Sequence, residues 1–308
     1  MNEVVITGAD GFIGRHLVRA LSARGVRVWA LVVPDSPLRV HVEGLAGVDV
    51  VACDLMDLAA VADRVPDGAD AFVHLAWAGV APEGRDDVRL QARNVDLALA
   101  ALDFAAMKRA GRFVIPGSTM EYSLGGRVIT GENDVPTPQN AYGAAKIAAR
   151  YLCEAAARNL KMPFIYTIFS GVYGADRRDS NVIFYTIDKL LRGESPKLTK
   201  LEQPWDYIHV DDLVAGLVAV CEKGVPGRTY PIGRGDNVPL RRYVEQIHEL
   251  IAPSIPLGIG KIPYRSDVLP WSCVDITRLR EDTGFSPQIP FDRGIAEVIG
   301  EVRRSGGV

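Results

Sequence analysis

The feature that most constrains this chain is a glycine-rich turn near its start. The β-branched run Val4–Thr7 predicts a strand, and Gly8, Gly11 and Gly14 follow it at regular spacing. In such a turn the first glycine permits the bend, the second lets the backbone approach a pyrophosphate, and the third lets helix and strand pack closely. The helix predicted over 15–24 would hold the anion at its N-terminal N–H groups. The segment therefore predicts a dinucleotide site.

Strands and helices alternate through the first half of the chain. The predicted strands after the first are 26–33, 48–52, 71–75, 112–115 and 164–169, and the predicted helices are 58–65, 87–109 and 141–159. This alternation is typical of a parallel sheet with helices on both faces. We therefore predict an α/β fold, a doubly wound Rossmann sheet, over residues 1–169.

The pattern changes after Phe169. The predicted elements are a loop over 170–181, a helix over 182–192, extended structure over 197–210 and a helix over 210–222. We predict that residues 170–308 form a smaller, discontinuous substrate-binding domain at the edge of the sheet where such sheets bind ligands. The stretch 205–233 is expected to return to the main sheet.

Composition excludes several functional classes. The 35 basic and 38 acidic residues give a net charge of −3 without a long block of one sign, which argues against nucleic-acid binding or a polybasic membrane anchor. The apolar runs are too short to span a bilayer, and the first residues enter a strand without a signal peptide. We expect no metal site and a reduced, cytoplasmic protein with four buried thiols, at Cys53, Cys153, Cys221 and Cys273.

Tyr142 and Lys146 are the strongest catalytic candidates. Four residues apart on a predicted helix, their side chains lie on one face, one turn apart. A free phenol has a pKa near ~10 and carries protons poorly at neutral pH, but a neighbouring ammonium stabilises the phenolate. Such a pair can act as acid and base. In isolation it is more often part of a solvated helix face, so its meaning depends on the rest of the chain.

Several motifs, taken in order, resemble those of one protein family. They are T-G-x-x-G-x-x-G at 7–14, H-L-A at 74–76, a serine at 118, the Tyr/Lys pair, V-Y-G at 172–174 and W-D-Y-I-H-V-D-D at 205–212. Over nearly its full length the chain resembles an extended short-chain dehydrogenase/reductase. More narrowly, it is similar to the NAD-dependent epimerase/dehydratase family, which acts on nucleotide sugars.

The resemblance implies roles for individual residues. Tyr142 is the expected proton donor or acceptor at a sugar hydroxyl or carbonyl, Lys146 holds the nicotinamide ribose, and Ser118 hydrogen-bonds the reacting oxygen. The cofactor, which supplies the hydride, is expected against Tyr142 and Lys146 and against Gly8, Asp10, Gly11, Phe12, Ile13, Gly14, Arg39, Asp54, Leu55, Leu75, Ala76 and Asn94. The substrate is expected against Thr119, Arg177, Asn181 and Arg265.

The residues after Ser118 exclude some of the reactions that the family catalyses. Relatives that move a carbon-bound proton carry an ionisable group two residues after the serine, where this chain has Met120. A thioether is not a useful proton carrier, so dehydration and C3/C5 epimerisation are not expected. Glu121 is one residue later, and in a strand it would point to the other side. Two reactions need only Tyr142 and a hydride: reduction of a nucleotide 4-keto-(deoxy)sugar, which we favour, and epimerisation at C4.

Two positions depart from the family's pattern on the substrate side. Trp205 replaces an Arg that reaches the nucleotide diphosphate. The Asn before V-Y-G is replaced by Gly171, or by Ser170 if Gly171 is an insertion. Diphosphate binding would then fall to Arg177, Arg178 or Arg265.

The choice between NAD and NADP stays open. Relatives that prefer NAD end the second strand with an acidic residue for the ribose hydroxyls, but this chain has Val32 there, and Asp35 comes late. Arg39 could instead meet a 2′-phosphate. The missing acid mildly favours tolerance of NADP.

The expected partners are a nucleotide-sugar substrate and a second copy of the chain, with no nucleic acid or membrane. The resemblance implies that the homodimer forms through helices 87–109 and 141–159. A non-catalytic dinucleotide-binding sensor is an alternative from another class, although such relatives typically lose the Tyr/Lys pair or the serine. His74 is expected to be a core residue rather than a catalyst.

Overall fold

Seven parallel strands form the central sheet of the computed structural model, which describes residues 1–175, 181–264 and 270–304. The described residues contain eleven strands, seven in this sheet and four in two small sheets. In chain order they are β1 (Glu3–Thr7), β2 (Arg27–Val32), β3 (Val48–Ala52), β4 (Ala71–His74), β5 (Phe113–Ser118), β6 (Phe164–Phe169), β7 (Gly171–Tyr173), β8 (Pro204–Trp205), β9 (Tyr207–His209), β10 (Thr229–Ile232) and β11 (Val238–Pro239). The large sheet has the order β10-β6-β5-β4-β1-β2-β3, and its neighbours pair in parallel. This order confirms the predicted doubly wound α/β fold.

Eight α-helices accompany these strands within the described residues. They are α1 (Phe12–Ala23), α2 (Val88–Met107), α3 (Ala141–Leu160), α4 (Val182–Leu191), α5 (Val210–Lys223), α6 (Leu240–Ile251), α7 (Thr277–Thr283) and α8 (Phe291–Arg304). The helices α2 and α3 pack on each other, as do α1 and α5, and both pairs contact strands of the large sheet. Because this sheet is covered by helices, β4 and β6 are buried along their whole length, and apart from His74 and Thr167 their residues are apolar or aromatic.

A second apolar core lies outside the sheet. It is built by α4, α6 and α8 with aromatic residues of β7 and β9, and its members include Tyr173, Ile187, Tyr207, Tyr243 and Phe291. The helix α5 and the strand β10, both inside the stretch 205–233, belong to the main core, and β10 pairs with β6. The stretch from Val274 to Phe285 also contributes to the main core, which the sequence did not indicate.

Three predicted elements differ from the structure. The first helix begins at Phe12 because Gly11 serves as its N-cap. The predicted helix 58–65 is a 3-10 stretch, Leu55–Arg64, with a break at Asp57. Only short strands occur within 197–210, and the first of them pairs with β11 rather than with the large sheet.

Two further findings concern the helices and the cysteine thiols. No helix among residues 1–175, 181–264 and 270–304 combines the length and the apolar character that a membrane crossing requires. All four cysteines are buried and free, as predicted. Burial raises the pKa of the Cys53 and Cys273 thiols to about 11, so both are poor nucleophiles at neutral pH.

We predict that Gly14→Ala destabilises the protein by roughly 1–3 kcal/mol, because the added methyl group would overlap the main chain of Gly8 and Ala9. The matched control is Gly300→Ala, also in a helix, where the added carbon meets only the far end of Arg304 at 3.6 Å. That change should stabilise by up to about 1 kcal/mol. Urea unfolding of both variants measures the difference, and equal effects would contradict the close helix–strand contact.

Candidate active site

The glycine turn and the end of β4 form a crevice lined by main chain. Strand order reverses direction between β1 and β4, which is where doubly wound sheets bind ligands. Gly8 has φ +65°, and a Cβ there would lie 2.7 Å from the backbone nitrogen of Ala76. Glycine is therefore required, and Leu75 and Ala76 lie directly beside the turn.

The start of α1 suits a pyrophosphate. No side chain caps this helix at Gly11, and its first turn, which begins with Phe12 and Ile13, contains no acidic residue. The helix end thus presents its positive dipole to the crevice. Asp10 is buried and accepts a 2.5 Å hydrogen bond from the Ser36 hydroxyl, which ties the turn to the segment after β2. The residues present therefore fit a dinucleotide.

Three of the predicted cofactor contacts, Asp54, Leu55 and Arg39, follow β3 and β2 in the chain. Asp54 is exposed and caps the 3-10 stretch after β3, accepting a hydrogen bond from the Met56 N–H at 2.9 Å, and Leu55 follows it. Arg39 is exposed on a short 3-10 helix, Pro37–His41, and forms an ion pair with Glu43 at 2.5 Å.

Two amides of α2 hold the loop after β4. Both polar atoms of the Asn94 side chain are bonded to the main chain of Ala78, at 2.9 Å each. Gln91 donates to the carbonyls of Gly79 and Gly84 and accepts from the Trp77 indole N–H. Both side chains are buried, so Asn94 lies beneath the loop and supports the crevice from behind.

The start of α3 is fixed against the turn that follows β5. Asn140 caps the helix by accepting a hydrogen bond from the Gly143 N–H at 3.0 Å. A Cβ on Gly143 would lie 2.6 Å from the Met120 carbonyl oxygen, so only glycine permits this approach. Tyr142 is half-buried, and its N–H donates to the carbonyl of Arg85. The helix therefore brings Tyr142 next to the residues that end β5.

Lys146 lies one turn further and is buried. Its ammonium donates to the Pro116 carbonyl at 2.9 Å and lies 3.6 Å from the centre of the Trp77 ring. The Tyr142 ring centre is 5.8 Å away, which confirms that the two side chains share a helix face. Burial lowers the pKa of Lys146 to about 7, and the carboxyl of Glu121 opposes that shift.

Ser118 ends β5 and caps a 3-10 turn, Thr119–Glu121. Its hydroxyl oxygen accepts a hydrogen bond from the Met120 N–H, so the hydroxyl proton can be donated elsewhere. Glu121 folds back to accept the Ser118 N–H at 2.6 Å and the Tyr166 hydroxyl at 2.8 Å. The expectation that Glu121 points away from the site agrees with its burial, but the cause is this turn and not a strand pleat.

The predicted substrate residues are only partly described. Thr119 is buried, and its hydroxyl is bonded to the Ser272 hydroxyl at 2.8 Å, so it faces the C-terminal segment. Asn181 caps α4 by accepting a hydrogen bond from the Phe184 N–H. Arg177, Arg178 and Arg265 lie outside the described residues.

Comparison with known proteins decides the family. The model of the NAD dependent epimerase/dehydratase family matches residues 4–233. The chain belongs to this family. It is therefore an enzyme whose cofactor is NAD or NADP, and the sensor alternative is not supported.

Individual members of the epimerase/dehydratase family match over almost the whole chain. CDP-abequose synthase of Salmonella typhimurium is 26% identical over 302 residues, 96% of this chain and 97% of its own. GDP-6-deoxy-D-mannose reductase of Pseudomonas aeruginosa is 24% identical over 322 residues, 97% and 96% of the two chains. The solved structure of DesIV, a dTDP-glucose 4,6-dehydratase from Streptomyces venezuelae with NAD and TYD bound, has the same fold, with a TM-score of 0.85 at 22% identity and coverage of 99% and 98%.

In this epimerase/dehydratase family member His74 is a core residue, as expected. It is buried at the end of β4, and its Nδ1 lies 2.9 Å from the Thr7 hydroxyl. Burial, with a smaller contribution from the Lys146 charge, lowers the pKa of His74 to about 3. A group that stays neutral near pH 5 is not the proton donor of the site.

We predict that His74→Gln flattens the acid side of the stability curve. Between pH 6.5 and about 3 the unfolded chain protonates this histidine and the folded chain does not, so stability falls as pH falls. The slope contributed is at most about 1.4 kcal/mol per pH unit. Urea unfolding at several pH values measures it, with His248→Gln as the matched histidine removal. An unchanged slope in His74→Gln would show that His74 protonates in the folded state.

Proposed function

We propose that the protein reduces a nucleotide 4-keto-(deoxy)sugar with NADH or NADPH. The observation that carries this proposal is the conformation of the turn after Ser118. Met120 occupies the position of a second proton carrier and is not ionisable, while Glu121 is turned into the core and is 0% exposed. Tyr142 is then the proton carrier for the reacting oxygen, which suits a ketone reduction and does not suit a dehydration.

The proposed step adds a hydride to the carbonyl carbon and a proton to its oxygen. A dinucleotide bound in the crevice would supply the hydride and be released in its oxidised form. The Ser118 hydroxyl, whose oxygen already accepts the Met120 N–H, donates to the carbonyl oxygen and polarises it. Tyr142 gives its proton to the same oxygen, and the Lys146 ammonium stabilises the phenolate that results. The product is an alcohol.

Cofactor binding is proposed for the crevice residues described above. Gly8, Gly11 and Gly14 would let the pyrophosphate approach the backbone, and Lys146 would leave Pro116 to hold the nicotinamide ribose. Arg39 is proposed to meet a 2′-phosphate, in competition with its pairing to Glu43. Rates with NADH and NADPH in the assay below test this proposal.

The nucleotide-sugar substrate is proposed from the family and from the named substrates of its relatives. Asn181, Arg177 and Arg265 are proposed to contact it. The buried Thr119 hydroxyl, bonded to Ser272, is better suited to support the substrate wall than to touch the sugar. A C4 epimerase is the second candidate, because Ser118, Tyr142 and Lys146 would serve it equally; it would regain the hydride and release no oxidised cofactor.

We predict that Tyr142→Phe lowers turnover 10²–10⁴-fold while leaving cofactor binding intact, because only the proton carrier is removed. The assay mixes protein, NADH or NADPH and a panel of nucleotide 4-keto-6-deoxysugars, and follows loss of reduced cofactor. The matched control is Tyr151→Phe on the exposed face of the same helix. Wild-type rates in Tyr142→Phe would exclude the mechanism, and epimer interconversion without net oxidation would favour the epimerase.

We also propose a homodimer through α2 and α3. Both helices carry large apolar side chains that are at least 49% exposed in the single chain, including Val88, Met107, Tyr151 and Leu152. We predict a sedimentation mass of twice 33.4 kDa and a monomer for Leu152→Lys. A wild-type mass of 33.4 kDa would exclude the dimer.

A cytoplasmic location agrees with the four free, buried thiols, and cell fractionation tests it.

A further inference from the structure

Glu121 is a buried carboxyl group for which the proposed reaction has no use. Its side chain is 0% exposed, and among the described residues its second oxygen, Oε2, has no hydrogen-bond partner. Burial raises its pKa to about 7. Burying a carboxylate away from water costs free energy unless an opposite charge is close, so the charge state of Glu121 depends on the groups around it.

The residues around Glu121 come from three elements. Its Oε1 accepts from the Ser118 N–H on β5 and from the Tyr166 hydroxyl on β6. The Tyr166 hydroxyl also lies 3.3 Å from the backbone carbonyl of Lys146 on α3. A Cβ on Gly117 would overlap both Glu121 Oε1 and the Tyr166 hydroxyl, so the absence of a side chain there makes this arrangement possible.

Two cations and two phenols face this carboxyl group. The cations are Lys146 and Arg150, both on α3, and each lowers the pKa of Glu121. Arg150 directs its donors to the hydroxyls of Tyr122 and Thr229, at 2.7 and 2.9 Å, and packs on the Tyr166 ring. Arg150 is therefore solvated by neutral groups. Lys146 is more deeply buried, and its Nζ binds the Pro116 carbonyl at 2.9 Å. Glu121 Oε1 binds the Ser118 N–H at 2.6 Å, two residues further along the same strand, so the carboxyl and the ammonium are held by neighbouring groups of β5. Among the described residues, Glu121 is the charged group that raises the pKa of Lys146.

His74 on β4 is close enough to the same ammonium for the Lys146 charge to lower the pKa of its imidazole. The imidazole is neutral and therefore supplies no negative charge, and its Nδ1 is bonded to the Thr7 hydroxyl. The carbonyl of Pro116 and the ring of Trp77 give Lys146 partial negative charge only. Without Glu121 the buried ammonium would have dipoles around it and no counter-ion.

We propose that Glu121 is the buried counter-ion of Lys146, a positioning residue that keeps the ammonium protonated beside Tyr142. It touches neither substrate nor reacting atoms and acts through Lys146. The proposal rests on the proposed function for its catalytic consequence, but the coupling between the two charges is a property of the protein alone. The same carboxyl group fixes the Ser118 main chain, so charge and geometry of the site share one residue.

The first test is Glu121→Gln, which keeps an oxygen acceptor for Ser118 and Tyr166 and removes only the charge. Lys146 should lose its proton at lower pH, so the alkaline limb of kcat/KM should move down by on the order of one pH unit. Above that limb the variant should be about tenfold slower than wild type. Glu154→Gln, also on α3 but paired with Arg158 at the surface, is the matched charge removal and should leave the profile unchanged.

A profile of Glu121→Gln that superposes on the wild-type profile would overturn the proposal, because a purely structural role is rescued by the amide. Loss of activity at all pH values without a shift of the limb would overturn it as well.

The second test needs no substrate and separates this proposal from the proposed function. Lysine Cε and glutamate Cδ are labelled with ¹³C, and the two signals are assigned by their loss in Lys146→Met and Glu121→Gln. Coupling is reciprocal: Glu121→Gln should lower the midpoint of Lys146 by the amount by which Lys146→Met raises that of Glu121. If Glu121→Gln does not fold, the Glu121 signal is assigned by through-bond correlation to its own backbone, and the Lys146→Met arm decides. An unmoved Glu121 midpoint in Lys146→Met would overturn the proposal.

Discussion

The cost of burying an ammonium group is the constraint on which this site depends. Lys146 is 5% exposed, and a charge in that position requires dipoles and an opposite charge within reach. The chain provides them from separate elements: a carbonyl at Pro116, an aromatic face at Trp77 and the carboxyl of Glu121. These groups can meet only where side chains are absent, which is the structural reason for Gly117 and Gly143.

The parts of this arrangement that follow local rules were predictable from sequence. The β-branched run, three glycines and amphipathic stretch at the start predict a strand, a tight turn and a helix, and the crevice beside Ala76 lies at that turn. The alternation of strands and helices predicted the parallel sheet, and the four-residue spacing predicted that Tyr142 and Lys146 share one helix face. Errors among these local elements were small, such as the start of α1 at Phe12 and the 3-10 stretch after Asp54.

Contacts between distant segments were not predictable in the same way. No local sequence pattern indicates that Thr119 is hydrogen-bonded to Ser272, that Gln91 and Asn94 hold the loop after β4, or that residues 274–285 join the main core. Glu121 is different, since Ser118 followed three residues later by a glutamate is the pattern of a capping box. The prediction of a strand pleat at this segment did not use that pattern. The burial of Glu121 against Tyr166 further depends on a strand 45 residues away.

Two separate apolar cores have a consequence for how such an enzyme diverges. The sheet core carries the glycine turn and Lys146, while the other is built from α4, α6 and α8. Substitutions in distant cores affect stability almost additively, so a change in one core does not alter the free-energy cost of a change in the other. Mutations around the second core can therefore accumulate without changing the packing of the sheet core, on which the glycine turn and Lys146 are carried.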